Sequence, residues 1–140
     1  MLGVILLLID HDAVLTELKK LASQNSDVEV LWLYGSRATG SFRDSSDFDI
    51  AVAFKNFDLS HTDRLTRPHE LAMDWALSLD LPSDLISIVD INLIPVYLGF
   101  NVIEYGSILY QQTSARPYKE ANRIYSQYEY QMIENKHNES

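Results

Sequence analysis

An acid set inside an apolar alternation limits what this chain can become more than any other feature. In "DFDIAVAF", residues 47–54, Phe48, Ile50, Val52 and Phe54 fall on one side of an extended strand, and Asp47, Asp49, Ala51 and Ala53 on the other. Neighbours of that kind pack inside a sheet, where a lone carboxylate is costly to bury. Asp49 therefore needs a reason to be there, and Asp47 lies on the same face. A second run, "VEVLWLY" at 28–34, is rich in β-branched and aromatic residues and stops at Gly35, which reads as another largely buried strand. Between the two lies "GSRATGSFRDSS", a segment that opens like a phosphate cradle and runs into the acids.

The rest of the chain alternates helices with strands, the pattern of an α/β domain. Val14, Leu15, Leu18, Leu21 and Ala22 repeat at helical spacing over Asp12–Ser23. "NFDLSHTD" is polar enough for a loop, and Leu71, Ala72, Trp75, Ala76 and Leu79 mark a helix starting near Pro68. A third strand is expected at "LISIVDINLI", with Asp90 beside Ile88 and Asn92 on one face. "VYLGFNVIEYG" reads as a short helix closed by Gly106, and "SILYQ" as an edge strand. A final helix spans about 117–136, with Tyr118, Tyr125, Tyr128 and Met132 as a stripe that packs on the domain or else meets a partner, and with "ENKHNES" fraying. Trp32 and Trp75 belong to the core, and the four histidines have no paired metal spacing and read as surface or loop residues.

With 140 residues, no repeat and no linker, the chain makes one domain. It has no cysteine, so any metal must use oxygen or histidine ligands. Twenty acidic residues against eleven basic ones give a net charge of −9, which disfavours nucleic acid and suits a basic protein partner or a cation. "MLGVILLLI" is too short to span a bilayer and lacks a signal peptide's flanks, so the chain reads as a cytosolic protein with no membrane contact.

Familiar explanations of the central segment fail. Gly35 and Gly40 have P-loop spacing, but Ser41 and Phe42 follow where Lys and Ser or Thr are needed. Asp44, Asp47 and Asp49 do not keep EF-hand offsets, and a dinucleotide fingerprint needs a third glycine. What remains is Gly-Ser, ten residues, then Asp-x-Asp. That pattern resembles the DNA polymerase β-type nucleotidyltransferase superfamily. With Asp90 following as a lone strand acid, the chain is similar to its smallest branch, the minimal nucleotidyltransferases (MNT).

The resemblance implies a small mixed β-sheet flanked by helices, with a catalytic core at about 28–110 and a C-terminal helix beyond it. It implies Asp47, Asp49 and Asp90 as catalytic and metal-holding carboxylates, with Mg²⁺, in two copies, and ATP as substrate. Gly35 and Ser36 would grip the phosphates, with Arg37 beside them; Asp44 reads as a turn residue. Two carboxylates ~4 Å apart repel by roughly 4 kcal/mol at an effective dielectric of about 20, a conflict that a bound cation answers. In the resembled family the acceptor is often a tyrosine of a HEPN-type RNase toxin, and the enzyme is its antitoxin. Small-molecule adenylylation, of an aminoglycoside for example, and a catalytically idle antitoxin that only covers its toxin are the alternatives.

Overall fold

Four strands form one mixed sheet in the order β3-β2-β1-β4, and helices cover both of its faces. The computed structural model describes residues 9–139; the apolar run at 1–8, read above as too short to cross a bilayer, lies outside them. In chain order the elements are α1 (His11–Ser23), β1 (Val28–Tyr34), α2 (Ser36–Thr39), β2 (Phe48–Phe54), α3 (His61–Ser78), a 3₁₀ turn (Ser83–Leu85), β3 (Ile86–Asp90), α4 (Val96–Tyr105), β4 (Ser107–Gln111) and α5 (Ala115–Glu139). Strands β1 and β2 are antiparallel, as are β1 and β4, whereas β2 and β3 run parallel.

The period-two pattern sorts the core into two layers. Leu31, Leu33, Phe48, Ile50, Val52 and Phe54 pack with Val14 and Leu18 of α1 and Leu71 and Trp75 of α3. On the opposite face Val30, Trp32, Tyr34, Ala51 and Ala53 meet Val102 of α4 and Ile124 of α5. The acids at 47 and 49 continue the row of Ala51 and Ala53, so they belong to this second face.

Three expectations are corrected. Helix α3 begins at His61 rather than near Pro68, because the Ser60 hydroxyl accepts the Asp63 N–H at 3.1 Å and caps the helix inside what looked like a loop. Pro68 sits buried in its interior. Strand β3 stops at Asp90, whose carboxylate accepts the Asn92 N–H at 2.9 Å and whose carbonyl accepts that of Leu93, turning the chain where an apolar strand was expected to continue.

Helix α5 does not fray at "ENKHNE" but runs on to Glu139, and its tyrosine–methionine stripe packs only in its middle, where Tyr125 and Tyr128 meet Phe100. Tyr118 is 71 % exposed and Met132 47 %, although Tyr128 stacks on Phe100 with ring centroids 3.9 Å apart. Besides the buried Ile124, what anchors the helix is polar. Buried Arg116 donates to Glu29 and to the Phe54 carbonyl, both at 3.0 Å, to Asn92 at 2.9 Å and to Glu120 at 3.0 Å. Burial pushes the Glu120 carboxyl up, but hydrogen bonds from Asn92, Arg123 and Arg116 outweigh it and hold the group below the usual carboxylate range.

Candidate functional site

The end of β1 turns into α2 through Gly35, whose φ of 72° lies in the region that favours glycine. The residue is required on a second ground. A Cβ at Gly35 would collide with the Asp49 carboxylate, so turn and acid are in direct apposition. Ser36 opens α2, and Gly40, with φ 84°, closes it by donating its N–H to the Ser36 carbonyl.

Asp47 and Asp49 converge. Burial first, then the charge of Asp47 and a hydrogen bond between the two side chains, push the Asp49 carboxyl up to about 6. Tyr34, paired with Asp49 across the antiparallel ladder, is pushed up to about 12 by burial and then by the two acids. Among the described residues no ion pair neutralises Asp47 or Asp49. The structure thus sets Gly35 against Asp49, with Asp47 beside it and Ser36 next in the chain.

It does not bring Asp90 to them. Parallel pairing sets Asp49 opposite Ser87 and Val52 opposite Asp90, so Asp90 stands three residues further along the ladder. That is about 10 Å at roughly 3.3 Å per residue and, three being odd, on the other face of the sheet. There Asp90 is 3 % exposed and pairs with Arg67 of α3 at 3.6 Å. Burial raises its pKa against the opposing pull of the Asn92 N–H, Arg67 and Arg64. Among the described residues no group of three or more His, Asp or Glu side chains gathers at metal-holding spacing. The position level with Asp49, on its face, is Ser87, which sequence reasoning missed because only the ladder register reveals it.

Arg37 also departs from its expected place at the phosphates. It is 3 % exposed, and its guanidinium is spent within the protein. Nε and Nη2 donate to the Ser46 carbonyl at 3.2 and 2.9 Å, Nη2 to the Asp44 carbonyl at 3.2 Å, and Nη1 lies 3.3 Å from Nδ1 of His11. The rings of Phe42 and Phe48 flank it, with centroids 4.5 and 4.2 Å from Cζ. His11, expected to be a surface or loop residue, is stacked on Phe42 at 4.2 Å. Burial lowers the Arg37 pKa, and the charges of Asp44 and Asp47 oppose the shift.

Among the described residues no helix is long and apolar enough to cross a membrane. No curated protein matches the sequence. Solved structures do. A chain of the crystal structure of a toxin–antitoxin with AMP-PNP is 26 % identical, with a TM-score of 0.69 over 87 % of this chain and 92 % of that one. The fold is shared with a chain of the toxin–antitoxin MntA–HepT, 24 % identical, with a TM-score of 0.64 over 89 % of this chain and 92 % of that one. It is shared too with a chain of a tri-AMPylated Shewanella oneidensis HEPN toxin in complex with MNT antitoxin, 23 % identical, with a TM-score of 0.65 over 91 % and 93 %. The sequence matches the family described as "Polymerase beta, Nucleotidyltransferase" over residues 16–115, a span that holds the glycine turn, both site aspartates and all four strands. A glycine turn seated on an acid pair at one end of a mixed sheet, together with that match, establishes that the chain belongs to the polymerase β nucleotidyltransferase family.

Proposed function

We propose that this protein is an antitoxin that moves AMP from ATP onto a tyrosine of a cognate HEPN-type RNase toxin, with Mg²⁺ as cofactor. The observation that carries the chemistry is the apposition of Gly35 and the Asp49 carboxylate with Asp47 beside it, which puts a phosphate-approach turn and an acid pair at one spot. The partner rests on likeness to toxin–antitoxin structures, one with AMP-PNP and one with a tri-AMPylated HEPN toxin. A net charge of −9 suits an RNA-cleaving, locally basic partner.

The residues fit a hard divalent cation. Two close carboxylates, one of them pushed up by burial and then by the other, form an oxygen donor set that no ion pair among the described residues occupies. Asp47 and Asp49 would hold the ion, and one or two carboxylates plus substrate phosphates are the usual Mg²⁺ set. Bound there, it would supply the positive charge that relieves the acid pair and polarises the phosphate oxygens.

The chain's own share is placement. Gly35 lets the triphosphate approach the backbone, and the Ser36 hydroxyl donates to β- and γ-phosphate oxygens. The phenol oxygen of the acceptor then forms its bond to the α-phosphorus as the bond to pyrophosphate breaks in line, and the phenol proton passes to water or the nearer carboxylate. One observation favours a second reading. Level with Asp49 stands Ser87 rather than a third acid, which suits an antitoxin that neutralises its toxin by covering it.

Incubation with labelled ATP, Mg²⁺ and the HEPN protein of a neighbouring gene separates the two. The expected result is label on a toxin tyrosine, lost in Asp47→Asn and Asp49→Asn. Unlabelled toxin that is still neutralised by the double variant would establish binding alone. Label on an aminoglycoside but not on the toxin would instead make the protein a small-molecule adenylyltransferase.

A further inference from the structure

We infer that Arg37 is a positioning residue for Asp47, and that His11, Phe42 and the ten-residue segment between Gly-Ser and Asp-x-Asp exist to build its socket. This rests on the reading of Asp47 as a cation-holding group. The segment from Arg37 to Ser46 looks like a spacer in the sequence, yet its side chains and carbonyls close around one buried guanidinium. Nε and Nη2 bind the carbonyl of Ser46, the residue immediately before Asp47, at 3.2 and 2.9 Å, and Nη2 reaches the Asp44 carbonyl at 3.2 Å. The Arg43 N–H donates to the Ser46 hydroxyl at 2.9 Å and the Ser46 N–H to the Arg43 carbonyl at 3.0 Å, so the turn before Asp47 is closed from both sides.

The socket is equally specified on its other walls. Phe48, the residue immediately after Asp47, flanks Arg37 at 4.2 Å, and Phe42 flanks it at 4.5 Å. His11, from the first turn of α1, stacks on Phe42 at an interplanar angle of 9° and sets Nδ1 3.3 Å from Nη1. Asp47 is thereby held between two residues that both contact the same planar cation. A planar fork with fixed donors suits this task, and an ammonium would not replace it. The arrangement is that of an outer-shell group that orients a ligand it does not replace; such partners typically matter by about 10- to 100-fold in metal affinity.

The test uses the full chain in three variants, Arg37→Met, Arg37→Lys and Phe42→Ala. Amide hydrogen exchange without metal is expected to quicken at residues 43–47 in all three, with β1 and β2 unchanged. Mn²⁺ affinity, measured with AMP-PNP present, is expected to fall about tenfold in Arg37→Met, without rescue by lysine. In an Asp47→Asn background the same Arg37→Met change is expected to add nothing. Equal losses with and without Asp47 would overturn the inference and make Arg37 a phosphate contact. Unaltered exchange at 43–47 in Phe42→Ala, should Arg37→Met fail to fold, would overturn it as well. If wild-type protein takes up no Mn²⁺ while the exchange result holds, the cation reading fails and the orientation of Asp47 by Arg37 stands.

Discussion

Asp49 is a group that its surroundings oppose. Its carboxyl is pushed from 3.8 to about 6 by burial and then by Asp47, so over that interval the folded protein binds the proton more tightly than the unfolded chain. By linkage, the stability this group contributes is greatest below about pH 4 and is lost as the pH rises to about 6. Asp49→Asn is therefore expected to raise the melting temperature of the metal-free protein, and by more at pH 8 than at pH 5. Scanning calorimetry at the two values checks this, and an equal gain at both would mean that the Asp49 carboxyl is not held above its ordinary range. Gly35 and the two acids were legible as a unit because their spacing and alternation are local properties of the chain. The surroundings of Arg37 are not legible in the same way, since adjacency to Ser36 says nothing about which way a long side chain turns. Its direction was settled by aromatic rings from Phe42 and Phe48 and by His11, which lies 26 residues earlier.

Between elements, register decides membership of the site. The side-chain period of a strand is two, so the odd offset between Asp49 and Asp90 sends the acids to opposite faces, however well each fits a catalytic pattern. Asp90→Asn is accordingly expected to leave Mn²⁺-dependent AMP-PNP binding within about twofold of wild type, as followed by titration calorimetry. It is expected to cost roughly 1–3 kcal/mol in urea unfolding, because the amide nitrogen faces Arg67 donor to donor, although the amide oxygen can still accept the Asn92 N–H. Arg67 is not orphaned by the change, as it keeps Asp27 at 3.2 Å and the Asn56 carbonyl. A large loss of cation binding would place Asp90 back among the metal-holding acids.

At the scale of the molecule, the buried residues of α5 lie in its first part. Arg116, Glu120 and Ile124 are buried, whereas every residue from Glu129 to Asn138 is exposed, Tyr130 at 64 % and Ile133 at 57 %. Ile133→Ala is expected to melt within about 2 °C of wild type, a shift that corresponds to well under 1 kcal/mol in a domain of this size, and thermal unfolding checks it. The sequence by itself determined the strands β1 and β2, the shared face of Asp47 and Asp49, the glycine turn before them and the family those features mark. All of these follow from short-range periodicity and steric rules that hold before the chain folds. Only the tertiary structure decided that Asp90 is a core ion-pair partner, that Ser87 is level with Asp49, that Arg37 braces a loop and that polar groups anchor α5. Each depends on ladder register or on contacts between segments far apart in the chain, and a one-residue slip reverses a face without altering a single local preference.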